Sequence, residues 1–290
     1  MITDDKDQLL RFLFEEMGVR GEIVSLDSSW QAALDNHDYP PVVAEQLGQA
    51  LATSVLLSAT LKFKGSLILQ IQGNGPISML VAQADEQQTV RGLAHWKGDI
   101  KQGDLSQLFG DGRLVLTIKP DMGKPYQGIV NLEGEVFSEM IEAYFKQSEQ
   151  LKTRLWFAVD GNKVVGLLLQ ELPAHQGQQA DWERIEMLAD TIKEEELLTI
   201  TSTEIIHRLF HEETVRLYDP QPIHFECSCS KEKIEANILT FGLADMMSLI
   251  QEKGAVDVDC DFCNKHYHFD SIDIKQLFNV NTSTNSSLIH

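Results

Sequence analysis

An α+β core domain, continued by a helical linker and a small cysteine-bearing domain, is the fold that this chain predicts, on three observations. Strand pairs around Gly-, Asn- and Pro-containing turns are mixed with separated helical patterns through residues 1–174. A polar, Gln-rich joint at 175–180 then gives way to acidic stretches with apolar residues at helical spacing, the expected linker over 175–221. All 4 cysteines lie in the region after it, the expected third domain over 222–278, and a polar tail at 279–290 is expected to be disordered.

Taken in order, Leu9, Phe12, Leu13 and Glu16-Met17 predict a helix that stops at Gly18, followed by a strand over 19–26. Pro40-Pro41 opens a longer helix through Leu61 that carries Val43, Leu47, Ala50, Leu51, Ser54 and Leu57. Small residues on its other side (Ala44, Gly48, Ala52, Ser58) predict a core helix packed all round. Strands over 67–72 and 77–84 flank Gly73-Asn-Gly-Pro, which reads as a hairpin turn built for positive φ. Gly73-x-Gly75 lacks the third glycine and the Gly-Lys-Ser/Thr ending of a phosphate loop, so turn chemistry is the better reading. Two more hairpins, 113–119 with 126–132 and 155–159 with 164–170, enclose a helix over 137–151.

In the linker, Trp182, Ile185, Leu188 and Ile192 recur at helical spacing. Asp181, Glu183, Glu186, Asp190 and the acids at 194–196 outnumber Arg184 and Lys193, which describes an amphipathic helix with a solvated acidic face. Thr199-Ile-Thr-Ser-Thr weakens helix propensity and blurs its stop. A second helix over 204–217 carries Ile205, Ile206, Leu209, Phe210, Val215 and Leu217. His207 and His211 stand at i,i+4 and could share a metal, but no third ligand follows at a recognisable spacing. Solvent-facing or capping roles fit them better. Tyr218-Asp-Pro-Gln-Pro ends the helical region.

The cysteines form two knuckles, Cys227-x-Cys229 and Cys260-x-x-Cys263, with 30 residues between them. Four soft thiolates at this spacing suit one tetrahedral Zn²⁺ per chain. A disulfide framework of a secreted protein, or four incidental core thiols, are the alternatives. Asn264, just after the second knuckle, tolerates the left-handed backbone that such a turn wants. Ser228, Ser230 and Asp261 permit tight turns whose N–H groups could reach the sulfurs. His224, His266 and His268 are near enough in sequence to substitute as ligands, yet four cysteines already fill a structural site. Ligands only one residue apart at Cys227 and Cys229 would close a small, strained disulfide ring, and a metal-held thiolate remains a nucleophile toward peroxide. Such a centre is therefore either an inert staple or an oxidation trigger.

Composition narrows the function. A chain of 290 residues that is 43% hydrophobic can build a sizeable core. With 24 basic against 44 acidic residues its net charge is −20, a field that repels phosphate backbones and anionic lipids, so neither nucleic acid nor membrane is an expected partner. The acidic start Met1-Ile-Thr-Asp-Asp-Lys-Asp lacks an apolar signal region, and no apolar run approaches spanning length. A soluble cytoplasmic protein is expected, in a compartment that keeps thiols reduced. No Ser-His-Asp, paired-carboxylate or Rossmann constellation is present, which weighs against an enzyme. Two readings remain: a zinc-ribbon adaptor that docks another macromolecule, or a metal module whose redox state controls the folding of the acidic helices before it.

The ordered set Val19-Arg-Gly-Glu, Asn36-His-Asp-Tyr-Pro, Ala59-Thr-Leu-Lys-Phe, Gln72-Gly-Asn-Gly-Pro, Tyr126-Gln-Gly-Ile-Val, Tyr144-Phe-Lys-Gln-Ser-Glu-Gln-Leu, Tyr218-Asp-Pro-Gln and the two knuckles resembles the redox-regulated heat-shock protein 33 family nearly end to end. The resemblance implies a holdase chaperone that works without ATP on unfolding client proteins, and a homodimer in the oxidised, active state. It also implies a reduced state in which Cys227, Cys229, Cys260 and Cys263 hold zinc, and an oxidised state with disulfides Cys227–Cys229 and Cys260–Cys263. Asn264 departs from the glycine usual there, which is expected to alter turn stability rather than metal binding.

Overall fold

Runs that are apolar on both faces decide how the first of two compact units, Met1–Glu226, is layered. The computed structural model describes residues 6–35, 37–60, 64–172 and 179–285. Leu61, the core–linker boundary at 174/175, the joint at 175–178 and the tail at 286–290 lie outside them. In chain order the unit holds β1 (Gln8–Phe14), β2 (Val19–Leu26), α1 (Ser28–Leu34), α2 (Pro41–Ser58), β3 (Gly65–Gln72), β4 (Ile77–Asp85), β5 (Thr89–Trp96), α3 (Leu105–Phe109), β6 (Arg113–Pro120), β7 (Tyr126–Asn131), α4 (Phe137–Tyr144), β8 (Thr153–Val159), β9 (Val164–Glu171), α5 (Gln179–Ala189), α6 (Glu194–Thr199), α7 (Ser202–Phe210), β10 (Val215–Leu217), β11 (Gln221–Pro222) and β12 (His224–Phe225).

One sheet has the order β10-β1-β2-β9-β8, with β11 also beside β1; the other runs β12-β5-β4-β3-β6-β7. Between them lies α2, opened by Pro41 in its first turn and buried at 14 of its 18 residues, the all-round packing that its small residues predict. Its neighbours in this core include Leu9, Val24 and Leu168 from the first sheet and Leu69, Ile71 and Leu80 from the second. The opposite face of the first sheet is apolar as well. There Leu10, Phe12, Phe14, Val19, Ile23, Val165, Leu167 and Leu169 pack against Trp182, Ile185, Leu197, Ile205, Ile206, Leu209 and Phe210 of α5, α6 and α7. The linker is thus a fourth layer laid on a sheet that is buried on both sides.

Several expectations need correction. The stretch 9–17 is not a helix but β1, paired with β2 from Gln8↔Ser25 to Phe14↔Val19. A strand apolar on both faces places side chains at i, i+3 and i+4 as readily as a helix does, and this stretch serves both cores. The predicted helix over 204–217 ends at Phe210, and Val215–Leu217 is a strand that satisfies the open edge of β1. In place of one helix to 151, α4 stops at Tyr144 and a single π-helical turn follows over Phe145–Glu149. Gly73 and Gly75 do join β3 to β4, but neither has positive φ. A Cβ would stand 2.0 Å from the Phe109 carbonyl oxygen at Gly73 and 2.5 Å from the Phe109 carbonyl carbon at Gly75, so close backbone approach is what requires them.

A buried carboxyl group sits in this unit. Glu22 is 3% exposed, faces Arg11 across the β1–β2 ladder, and leaves Oε2 without a hydrogen-bond partner. Burial raises its pKa to about 7, against the opposing pull of Arg20 and Arg11. Folded Glu22 therefore keeps a proton that the unfolded chain releases above its ordinary value, so stability falls as pH rises from roughly 4.5 to 7. A shift of this size corresponds to about 3 kcal/mol. Glu22→Gln is expected to flatten this dependence and to be more stable than the parent at pH 8. Urea midpoints at pH 5 and pH 8 test it: equal loss with pH in parent and variant would refute the assignment.

The second unit, Cys227–His290, comprises α8 (Lys231–Leu239), α9 (Leu243–Lys253), the β13 (Val256–Asp259) and β14 (His266–Phe269) hairpin, and α10 (Ser271–Asn285). Its core is small: Ile238, Met246, Ile250, Val256, Cys260, Tyr267, Phe269 and Ile274. The tail expected to lack structure from Asn279 is helical through Asn285. With Ile274 buried and Leu277 and Phe278 packed on the core, α10 is already nucleated there, and extension costs little.

Candidate metal centre

Each knuckle is set by its flanking element. Cys227 and Cys229 immediately precede α8, whose first turn is capped by Ser230 Oγ accepting from the Lys233 N–H at 3.3 Å. Cys260 and Cys263 occupy the turn between β13 and β14. There the N–H groups of Cys263 and Asn264 donate to the Cys260 carbonyl at 3.2 and 2.7 Å, and the Cys260 N–H to the Lys265 carbonyl at 3.1 Å. Asn264 has φ 51°, the left-handed backbone expected of it.

These two turns bring all four sulfurs within 4.8 Å of one another. The nearest approaches cross between the knuckles, 3.6 Å from Cys227 to Cys260 and 3.5 Å from Cys229 to Cys263, and all four are free thiols. A tetrahedral ion with bonds of about 2.3 Å to sulfur requires sulfur–sulfur edges of roughly 3.8 Å, so the donor set fits zinc in number, softness and spacing. Cys260 is 8% exposed and the others are half-buried, which leaves an approach for an oxidant.

Further groups tune the sulfurs. The Cys229 N–H bonds the sulfur of Cys227 and the Lys265 N–H that of Cys263, donors other than the three residues named from the sequence. Tyr267 Oη donates to Cys229 Sγ at 3.2 Å, a contact that sequence reasoning missed. Its signal was the alternation His266-Tyr-His-Phe269, which points Tyr267 inward with the cysteines. Burial raises the Cys229 thiol, but hydrogen bonds from Tyr267 and the neighbouring thiols outweigh it and bring the pKa to about 7. Cys263 is pushed up to about 12, chiefly by burial. Hydrogen bonding and burial thus push these two thiols in opposite directions.

None of the three nearby histidines joins this set. His224 lies on β12 in the first unit, while His266 and His268 pair with Asp259 and Asp257. His207 on α7 and His211 just past its end are exposed with ring centroids 6.1 Å apart, and among the described residues no third ligand gathers with them. Among those residues, too, no helix is long and apolar enough to cross a membrane.

The chain resembles known proteins in sequence and in fold. The profile described as Hsp33 protein matches residues 7–270. The chain is 54% identical over 275 residues to the 33 kDa chaperonin of Nitrosococcus oceani, covering 95% of each chain. It is 44% identical over 289 residues to that of Vibrio cholerae, covering 98% of this chain and 99% of the other. A solved 33 kDa chaperonin (heat shock protein 33 homolog) from Thermotoga maritima superposes with a TM-score of 0.85 over 96% of this chain and 99% of its own; at 23% identity it bears on the fold alone.

Proposed function

The chain belongs to the Hsp33 family of chaperones, and from that premise we propose that it is a redox-regulated holdase that works without ATP in the cytoplasm. In this reading the reduced protein is inactive. Oxidation, together with heat, releases the linker over 175–221, and the opened protein binds unfolding clients as a homodimer.

The observation that carries the reading is the linker's position. Helices α5 to α7 cover an apolar sheet face that includes Phe12, Phe14, Ile23, Leu167 and Leu169. Beyond α7 the chain is held by strands of only three, two and two residues, β10, β11 and β12, and Cys227 follows two residues later. Strands this short add little stability of their own. Losing the fold around the cysteines therefore removes support next to an element with little reserve, and its departure bares apolar residues from both the linker and the sheet. The net charge of −20 keeps the opened protein soluble.

Cys227, Cys229, Cys260 and Cys263 are the residues that would hold zinc. Bound zinc cross-links the two knuckles and keeps the sulfurs as thiolates. On oxidation one sulfur of a pair attacks peroxide, the O–O bond breaks, and a sulfenic acid forms; the second thiol then displaces its hydroxyl as water. Two thiolates thus give up two electrons, two protons come from solvent, and one peroxide becomes two waters. The pairs are Cys227–Cys229 and Cys260–Cys263, as family membership implies, and partners within and across the knuckles are alike within reach at 4.8 Å or less.

Oxidised protein is expected to suppress light scattering by an unrelated, heat-unfolding client at near-equimolar ratio, and reduced, metal-loaded protein to do so poorly. Equal suppression by both forms would overturn redox control. Specific capture of a nucleic acid by the reduced form would favour the zinc-ribbon adaptor instead.

A further inference from the structure

Resting on the holdase reading above, we propose that clients dock in the seat now filled by residues 221–226, as extended segments of unfolded chain with apolar side chains two residues apart. This stretch bridges the two sheets. β11 lies on β1 through Gln8↔Pro222 and Leu9↔Gln221, and β12 runs parallel to β5 through His224↔Thr89 and Phe225↔Val90. Between them Ile223 is 2% exposed in the core around α2, and Phe225 packs against the same core, whereas Pro222, His224 and Glu226 are exposed. That alternation is the strand period, so the chain's own segment is a sample of what the seat accepts.

The seat is built without its occupant. The Ile223 N–H donates to the Asp7 carbonyl at 2.8 Å, the His224 N–H to that of Gln88 at 3.0 Å and the Glu226 N–H to that of Val90 at 3.2 Å. Asp7 and Gln88 are two of the four non-glycine residues with positive φ among the described residues, at 42° and 60°. Backbone of this kind persists only where its surroundings impose it, and it gathers at clamps and binding sites. Here the core imposes it. The Asp7 carboxylate accepts from the N–H groups of Asp27, Ser28 and Ser29 at 3.0, 2.9 and 2.9 Å, at the entry of α1. Gln88 closes a turn in which its N–H donates to the Asp85 carbonyl at 3.0 Å, while the Asp85 carboxylate accepts from the Gln87 and Thr89 N–H groups at 3.0 Å each. None of these supports comes from residues 221–226, so both carbonyls keep their direction when that stretch leaves with the cysteine unit. Unpaired edge carbonyls are then a template for another chain. Main-chain bonds accept any sequence, and the hole left by Ile223 selects an apolar side chain, which suits a binder of unrelated unfolded proteins.

The test uses full-length protein and a fluorescein-labelled peptide with the sequence of residues 219–226, followed by anisotropy. Oxidised protein is expected to bind the peptide at least tenfold more tightly than reduced, zinc-loaded protein, whose seat is filled. Saturating peptide is expected to abolish suppression of client scattering by the oxidised form. N-methylation of the peptide at Ile223 removes the N–H that Asp7 accepts and is expected to weaken binding about tenfold, the loss of one hydrogen bond. Full-length Ile223→Asp, reduced and still holding zinc, is expected to bind the parent peptide as oxidised protein does, because its own stretch no longer fills the seat. Client suppression without peptide is read in the same samples, so failure of the holdase reading is seen separately. Equal binding of the N-methylated or a scrambled peptide, or client suppression unchanged by saturating parent peptide, would overturn the seat.

Discussion

Stripping the metal from the reduced protein is expected to unfold the Cys227–His290 unit while both sheets and α2 of Met1–Glu226 stay folded. The argument is one of magnitudes. Among its described residues the second unit buries eight core side chains, one of them Cys260 itself, and a core of that size rarely supplies more than about 3–5 kcal/mol. Structural zinc contributes on the order of 10–16 kcal/mol of apparent binding energy in small modules, more than that core can replace. The first unit has α2 buried at 14 of 18 positions between two sheets and needs no such help. Cys263→Ser is expected to weaken zinc sharply, because three thiolates and a water make a poorer structural site. Chelator titration followed by circular dichroism and NMR reads the result. A Cys227–His290 unit that keeps its dispersed resonances without metal, or a Cys263→Ser protein that binds zinc as tightly as the parent, would exclude this role for the centre.

How much of this was legible in the sequence depends on how local each signal is. The cysteine knuckles, the Asn264 turn and the hairpins around Gly73 and Asp160 are written in neighbouring residues, and the structure places them accordingly. The same holds for α2, whose apolar and small residues together describe a helix without a solvent face. What failed was what depends on distant partners. Residues 9–17 look helical until β2 and two separate cores are supplied, and Val215 to Leu217 prolong a helical pattern unless the edge of β1 is known to be open. One local signal was overlooked. Thr201-x-x-Glu204 is a capping box, with the Glu204 carboxylate accepting from the Thr201 N–H at 3.0 Å, so the stretch read as a blurred stop is the start of α7. At the metal centre the four sulfurs could be named from spacing. The Tyr267 hydroxyl could not, because it reaches Cys229 only through the pleat of β14.

Phe210→Ser is expected to give a protein that protects clients while fully reduced and still holding zinc. Phe210 is 2% exposed, with ring centroids 4.9 Å from Phe14 and 6.0 Å from Phe12, so it is a principal anchor of α7 on the sheet. Truncating such a ring costs about 3–5 kcal/mol. The polar contacts that remain are weak compensation. Arg154 reaches Asp190 at 3.0 Å and Arg208 reaches Glu196 at 2.6 Å, but exposed pairs of this kind contribute about 0–1 kcal/mol each. Apolar contact with the sheet is therefore what keeps the linker down, and one lost anchor is comparable to the reserve of a marginal segment. Leu209, 6% exposed on the same face, is expected to behave similarly when made polar, and Glu212→Gln, on an exposed residue beyond that face, to behave as the parent does. Circular dichroism should show partial helix loss with four free thiols and one zinc, alongside suppressed client aggregation. If the variant loses linker helix, keeps zinc and remains inactive, release of the linker is not the switch, and the oxidised cysteine unit itself becomes the element that binds clients.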